Sequence, residues 1–98
     1  MAKSHAHATA LREVLRVFAL FGCPVRVVIF QRLARSPMTA GALAQGLPVS
    51  RTAVVQHLKR LQAARLVDAS ADGRRRIYRV RPKGLGPLSR WLRQYSRD

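Results

Sequence analysis

Residues 39–65 read TAGALAQGLPVSRTAVVQHLKRLQAAR, a stretch that contains two capped helices separated by a tight turn. Thr39 is a favourable N-cap for a short helix, and Gly46 is a favourable residue to close it. Ser50 caps a longer helix that we expect to run to about Arg65. A short helix, a turn of three to four residues and a longer helix form a helix-turn-helix arrangement. This stretch predicts the unit around which the rest of the chain is arranged.

Two further helices are predicted before this unit. Apolar residues recur at helical spacing from about Thr9, and Gly22 ends that helix. Pro24 begins a second helix that runs to about Ala34 and is hydrophobic almost all round at its start, so we expect it to be the central, most buried helix. Residues 1–8 are small and polar and are predicted to form a flexible arm.

A basic hairpin and a last helix are predicted after it. The pair DG at 72–73 is the strongest hairpin signal, between a short strand at 66–70 and a returning strand at 74–81. The last helix follows the pair GP at 86–87. The predicted fold is mainly α with a small β-hairpin (α+β), a winged helix-turn-helix of five helices in a single domain, 9–98.

The composition narrows the classes of function. The 98 residues contain 19 Lys and Arg but only four Asp and Glu, a formal net charge of +15, which indicates a polyanionic partner. The four carboxylates are scattered and form no acid–base pair, so we do not expect an enzyme. Only one cysteine is present, and the longest apolar stretch is far shorter than the roughly 20 residues of a membrane span. We therefore expect a cytoplasmic, nucleoid-associated protein with no membrane partner.

The helix capped by Ser50 has an apolar face and a polar face. Val54, Leu58 and Leu61 form the apolar face. Gln56, on the opposite face, suits an adenine edge, and no acidic residue lies on that face as it would on an ordinary solvated helix. The polar face and its flanks are predicted to enter the major groove of DNA; they comprise Arg51, Thr52, Val55, Gln56, Lys59 and Arg60.

Three consecutive arginines, Arg74, Arg75 and Arg76, lie at the predicted hairpin tip. Adjacent cations at a tight turn repel one another and gain little from folding. A polyanion lying across them accounts for their presence, through phosphate contacts or the insertion of one arginine into a minor groove.

About three-quarters of the chain, from Val17 to Leu92, resembles the arsenic-repressor-type (ArsR/SmtB) winged-helix regulators of bacteria. The segments that carry the resemblance are FALFGCPVRVVIFQRLA, MTAGALAQGLPVSRTAVVQHLKRLQAARLV and DGRRRIYRVRPKGL. The resemblance implies a wing at 72–76 and a recognition helix whose contact residues are Ser50, Arg51, Thr52, Val55, Gln56 and Lys59. The family often has a small polar residue where Val55 stands, so the target sequence does not follow from the relatives.

The same resemblance implies a homodimer whose interface uses the first and last helices. It also implies a transcriptional repressor that binds double-stranded DNA at a palindromic operator. Large apolar side chains on these helices fit that interface. The predicted interface residues are Leu11, Leu15, Phe18, Leu88, Trp91, Leu92 and Tyr95.

The metal sites of the family have no counterpart in this sequence. Where the family has its thiolate box, residues 39–44 read TAGALA and offer no ligand for a soft metal, and the last helix contains no histidine. We expect neither a metal nor another cofactor.

Cys23 precedes Pro24 where relatives usually have Asp. A thiol at a helix N-terminus near cations has the ingredients of a redox switch, although the chain holds no second cysteine to resolve an oxidised one. We interpret Cys23 as mainly structural and keep a thiol-responsive regulator as a rival hypothesis.

The strongly basic composition is also compatible with a sequence-tolerant architectural or RNA-binding winged helix, for which charge would be the main attraction. A repressor that a partner protein releases from DNA is a third hypothesis. Whether a small molecule, a redox signal or a protein acts as effector stays open at this point.

Overall fold

The computed structural model describes residues 2–96, with side chains from residue 8 onward. Five α-helices, an antiparallel hairpin and one 3-10 helix follow one another along the chain, in the α+β order that the sequence predicts. The elements are α1 (Ala2–Phe21), α2 (Pro24–Arg35), α3 (Ala40–Ala44), α4 (Arg51–Ala63), β1 (Val67–Asp72), β2 (Arg75–Val80), a 3-10 helix (Pro82–Leu85) and α5 (Gly86–Arg93).

The first helix is longer than the sequence predicts. We expected a flexible arm over residues 1–8, but the backbone of α1 is already helical at Ala2. The segment AKSHAHA at 2–8 contains neither glycine nor proline and is rich in alanine, the best helix former. A helix nucleated further along the chain can therefore extend back through it.

The last turn of α4 ends earlier than predicted, at Ala63 instead of Arg65. The backbone N–H of Leu66 donates to the Leu61 carbonyl at 3.0 Å, and that of Arg65 donates to the Gln62 carbonyl at 2.9 Å. This pair of bonds is a Schellman motif, in which the residue after the cap adopts the left-handed conformation. Arg65 takes that conformation with φ +60°, at a position that glycine usually occupies.

The core lies between the helices α1 to α4 and the hairpin, and Val17 of α1 belongs to its buried cluster. Buried residues of α4 fall on the predicted apolar face, namely Val54, Leu58 and Leu61. α2 contributes Ile29 and Leu33 to the buried set, and most of its other residues are half-buried. The fully buried side chains are Ile29, Leu43, Leu58, Leu61, Leu66, Val54 and Val67.

The hairpin is attached to the helical core at its base. Tyr78 of β2 and Met38, between α2 and α3, exchange two backbone hydrogen bonds of 2.8 and 3.1 Å. Tyr78 is itself buried. The hairpin is therefore fixed in position relative to α3 and α4, which carry the helix-turn-helix.

Candidate nucleic-acid interface

The outer face of α4 is exposed along its length. Ser50 Oγ accepts a hydrogen bond from the backbone N–H of Ala53 at 3.1 Å, so the predicted N-cap forms and fixes where the helix begins. Because Val54, Leu58 and Leu61 point inward, the predicted contact residues of the opposite face lie in solvent. These exposed residues are Arg51, Thr52, Gln56, Lys59 and Arg60.

Two predicted contact residues are less free than the others. Val55 is half-buried and packs against the core cluster, so only part of its side chain is available to a groove. Ser50 is exposed, but its hydroxyl oxygen already accepts the cap hydrogen bond, which leaves its O–H free to donate.

The hairpin tip differs from the predicted turn by one residue. Asp72 pairs with Arg75, so the two-residue loop is Gly73-Arg74 instead of one centred on the Asp72–Gly73 pair. Gly73 has φ +63° and Arg74 has no positive φ, the pattern of a type II′ turn with glycine in the first central position. Asp72 therefore ends β1 as a paired strand residue.

The three tip arginines are exposed and point in different directions. Arg74 lies in the loop, while Arg75 and Arg76 are consecutive strand residues and so project to opposite faces of the hairpin. The guanidinium carbon of Arg76 lies 5.9 Å from the centre of the Tyr78 ring. This cation–π contact holds Arg76 near the hairpin base.

A contact that the sequence did not predict braces the helix-turn-helix. The Nη1 atom of Arg32, on α2, donates to the carbonyl oxygens of Leu43 at 2.9 Å and Gln45 at 2.6 Å. These carbonyls lie at the C-terminal end of α3, where no further helical turn satisfies them. Arg32 thus fixes the end of α3, from which the turn to α4 departs. No local pattern marks this arginine, because its acceptors are 11 and 13 residues away.

A second contact joins α2 to α4. The Nε of Arg26 donates to Nδ1 of His57 at 3.1 Å, and its Nη1 donates to the Leu20 carbonyl at 3.3 Å. Desolvation by burial lowers the pKa of His57, and the positive charges of Arg26 and Arg60 lower it further. A pKa below the ordinary value favours the neutral imidazole, whose Nδ1 can accept the hydrogen bond from Arg26.

An apolar face runs along α1, α5 and the turn that follows α5, on residues of the predicted dimer interface. Leu15 is 55% exposed, Phe18 47% and Tyr95 69%, and Leu11 and Leu92 are exposed as well. The rings of Phe18 and Trp91 meet edge to face at 5.5 Å, and those of Trp91 and Tyr95 are 5.0 Å apart. Leu88 differs from the rest because it is half-buried and packs against the core cluster.

Cys23 is a free, half-buried thiol at the N-cap position of α2, where its side chain makes no cap hydrogen bond. Among the residues that the structure describes, no three His, Cys, Asp or Glu side chains are grouped so that they could hold a metal ion. Over the same residues, no helix is both long and apolar enough to cross a membrane.

The anchored basic hairpin and the capped, outward-facing α4 together define a winged helix-turn-helix. A family model described as a helix-turn-helix domain matches residues 22–68. The structure of an ArsR-like transcriptional regulator from Rhodococcus sp. RHA1 matches with a TM-score of 0.76 and 36% identity, over 87% of this chain and 80% of that one. The chain belongs to this ArsR-like family of transcriptional regulators, as its sequence predicts.

Two mycobacterial proteins are also similar to this chain. The chain is 52% identical over 63 residues to the HTH-type transcriptional regulator Rv2034 of Mycobacterium tuberculosis, over 64% of its own length and only 59% of that protein's length. It is 25% identical, with a TM-score of 0.74, to the homodimeric winged helix-turn-helix DNA-binding domain Mb0332 of Mycobacterium bovis, over 91% of this chain and 82% of that one.

Proposed function

We propose that this protein is a dimeric, sequence-specific DNA-binding repressor of transcription, with α4 in the major groove and the hairpin on the DNA backbone or in the minor groove. The observation that carries the proposal is the exposed outer face of α4, which bears amide, hydroxyl and cationic groups and no carboxylate. The exposed arginines of the hairpin tip add a second cationic element on the same framework.

The position of each residue along α4 suggests its role. The N-terminal part of a recognition helix meets base edges, so Gln56 would pair with adenine and Arg51 would contact guanine or a phosphate. Lys59 and Arg60 lie further along and would contact phosphates. Thr52 and the accessible part of Val55 would border the bases, and the hydroxyl of Ser50 would donate a hydrogen bond to the DNA backbone.

The tip arginines would hold the hairpin on the duplex. Arg74 and Arg75 are free to contact phosphate or to enter a narrow minor groove. Arg76 is held over Tyr78 and would contact phosphate nearer the hairpin base.

A second copy of the chain would cover the apolar face of α1 and α5. Large apolar side chains that are about half exposed, such as Leu15 and Phe18, are costly to leave in water and are typical of subunit interfaces. The similar Mycobacterium bovis domain is homodimeric. A two-fold dimer would read a palindromic operator with half-sites about 34 Å apart.

Repression, as the family resemblance of the sequence implies, would follow if the bound dimer blocked access to a promoter. A protein bound to chromosomal DNA in this way would act in the bacterial cytoplasm. Transcription in vitro from a promoter that contains the selected site tests the sign of the effect: added protein should lower the transcript yield.

Selection of bound DNA from a random pool, followed by affinity measurements, tests sequence specificity. Gln56→Ala should relax the base preference, whereas Lys59→Ala and Arg75→Ala should weaken binding to all sequences. Arg12→Ala, an exposed arginine on α1, is the matched control for loss of one charge. Equal losses on selected and random DNA for all three interface variants would refute the assignment of Gln56 to base reading.

The same measurements separate the rival function. A repressor should prefer its operator over random DNA by about 10³ or more, whereas an architectural or RNA-binding protein should be displaced equally by random DNA or RNA. If each protomer neutralises about four phosphates, the affinity should fall with salt at a log–log slope near −7.

A further inference from the structure

A cavity of about 220 Å³ lies on the side of the molecule where α1 meets the end of α4 and the segment after β2. It shares no residue with the predicted DNA-contact set. Its walls come from α1, the corner after α4, the segment after β2 and the start of α5. Four of the lining residues are cations, namely Arg16, Arg65, Arg81 and Lys83.

This concentration of charge exceeds what the basic composition supplies. Four of the nine lining residues are cations, compared with 19 of the 98 residues in the whole chain. Among the described residues of the lining, Glu13 is the only carboxylate. Arg81 pairs with Asp68 outside the cavity at 3.6 Å, and within the described residues no ion pair engages Arg16, Arg65 or Lys83. The cavity therefore keeps an excess of positive charge.

The backbone around the cavity is closely packed. A Cβ atom on Gly84 would overlap the backbone carbonyl of Arg65, so the corner after α4 and the 3-10 helix can approach this closely only because residue 84 is glycine. Arg65 occupies the left-handed position of the Schellman motif. These two features hold the side-chain origins of Arg65 and Lys83 at one fixed spacing.

We propose that this cavity binds a small oxyanion of two or more negative charges, of the size of inorganic phosphate. Its volume is below the roughly 300–1,000 Å³ of pockets for larger organic ligands, which favours a compact anion. Guanidinium groups bind phosphate or carboxylate oxygens in bidentate pairs, and an ammonium group adds a point charge. The cavity shares no residue with the predicted DNA-contact set, so the anion of the proposal is a free one and not a phosphate of the bound duplex.

Titration of the DNA-free protein with inorganic phosphate tests the proposal. Sodium phosphate replaces sodium chloride at constant ionic strength, and two-dimensional ¹H–¹⁵N spectra follow the backbone amides of Arg65 and Gly84. We expect saturable shifts at these amides. Loss of one charge-assisted contact in Arg16→Gln or Arg65→Gly should weaken the apparent affinity at least about fivefold. Glu13→Gln removes a repelling charge and should strengthen it at least about twofold.

The variants carry their own controls. Arg65→Gly removes the cation while placing the preferred residue in the left-handed position, so a loss of binding cannot come from unfolding. Arg12→Gln removes an exposed arginine of the same helix as Arg16, outside the cavity, and should leave phosphate binding unchanged.

Three results would overturn the proposal. The first is a shift that grows linearly with phosphate and does not saturate. The second is an equal loss of binding in Arg12→Gln and Arg16→Gln, which would indicate general charge attraction. The third is a fall in DNA affinity in phosphate-free buffer that is larger for Arg16→Gln and Arg65→Gly than for Arg12→Gln, which would assign these cations to the DNA backbone.

Discussion

Replacing Arg32 by methionine removes the guanidinium that joins α2 to the end of α3 while keeping a long apolar side chain. In the native protein this group donates to the Leu43 carbonyl at 2.9 Å and the Gln45 carbonyl at 2.6 Å. Both acceptors are helix-end carbonyls with no further helical donor. The substitution leaves them without this donor, and we expect the end of α3 and the turn that follows it to fray.

The size of the effect follows from the surroundings of the two acceptors. A hydrogen bond to a charged group contributes about 1.5–3 kcal/mol. The bond to Leu43 is partly buried, whereas the one to Gln45 is exposed, so water replaces most of the second but little of the first. We therefore expect Arg32→Met to lower the free energy of unfolding by about 2 kcal/mol. For a domain of this size that corresponds to a fall in melting temperature of about 8–16 °C.

Urea unfolding at 25 °C, followed by circular dichroism at one fixed protein concentration, measures the loss. Arg35→Met is the matched control, because Arg35 is also in the last turn of α2 but is exposed, so both changes alter the helix dipole similarly. Arg32→Lys keeps the charge but presents a single ammonium, so it should recover roughly half of the loss.

Losses in Arg32→Met and Arg35→Met that agree to within about 0.5 kcal/mol would refute this reasoning. That outcome would mean that the two carbonyls are solvated equally well without the guanidinium, and that Arg32 does not brace the turn.

Three further predictions concern other parts of the molecule. Gly84→Ala should lower the free energy of unfolding by about 3 kcal/mol, because the new Cβ would overlap a backbone carbonyl. Gly73→Ala should lower it by only about 1–2 kcal/mol, because the cost there is that of a positive φ; chemical unfolding of the two variants compares these losses. Because the pKa of His57 is lowered in the folded protein, the unfolded chain binds a proton there more readily, and the free energy of unfolding should decline as pH falls below 6.5. His57→Asn, measured by urea unfolding between pH 5 and 7.5, should flatten this decline, and an unchanged slope would contradict the prediction. Leu15→Lys should convert the proposed dimer into monomers in sedimentation experiments, and a wild-type protein that is already monomeric at micromolar concentration would refute the dimer.

The helix-turn-helix could be predicted because its signals are local. Thr39 and Ser50 each bond to a backbone N–H three residues ahead, at 3.1 Å in both cases, so a short stretch of sequence contains both partners. The apolar spacing of α4 likewise places Val54 and Leu58 inward whatever the rest of the fold does. The predicted helix boundaries were less accurate. The start of α1 depends on weak helix propensities, and the end of α4 depends on a left-handed Arg65 at a position that glycine usually occupies.

The sequence by itself determined the order of the elements, the two capped helices and the concentration of positive charge on α4 and the hairpin tip. Only the tertiary structure decided which of the cations in the described part of the chain remain available to a ligand. Arg26 and Arg32 are committed to partners in other elements, whereas Arg16, Arg65 and Lys83 converge on one cavity. The physical reason is that a cap or an amphipathic face forms between near neighbours, whereas an arginine is committed only when packing brings an acceptor from another element within reach.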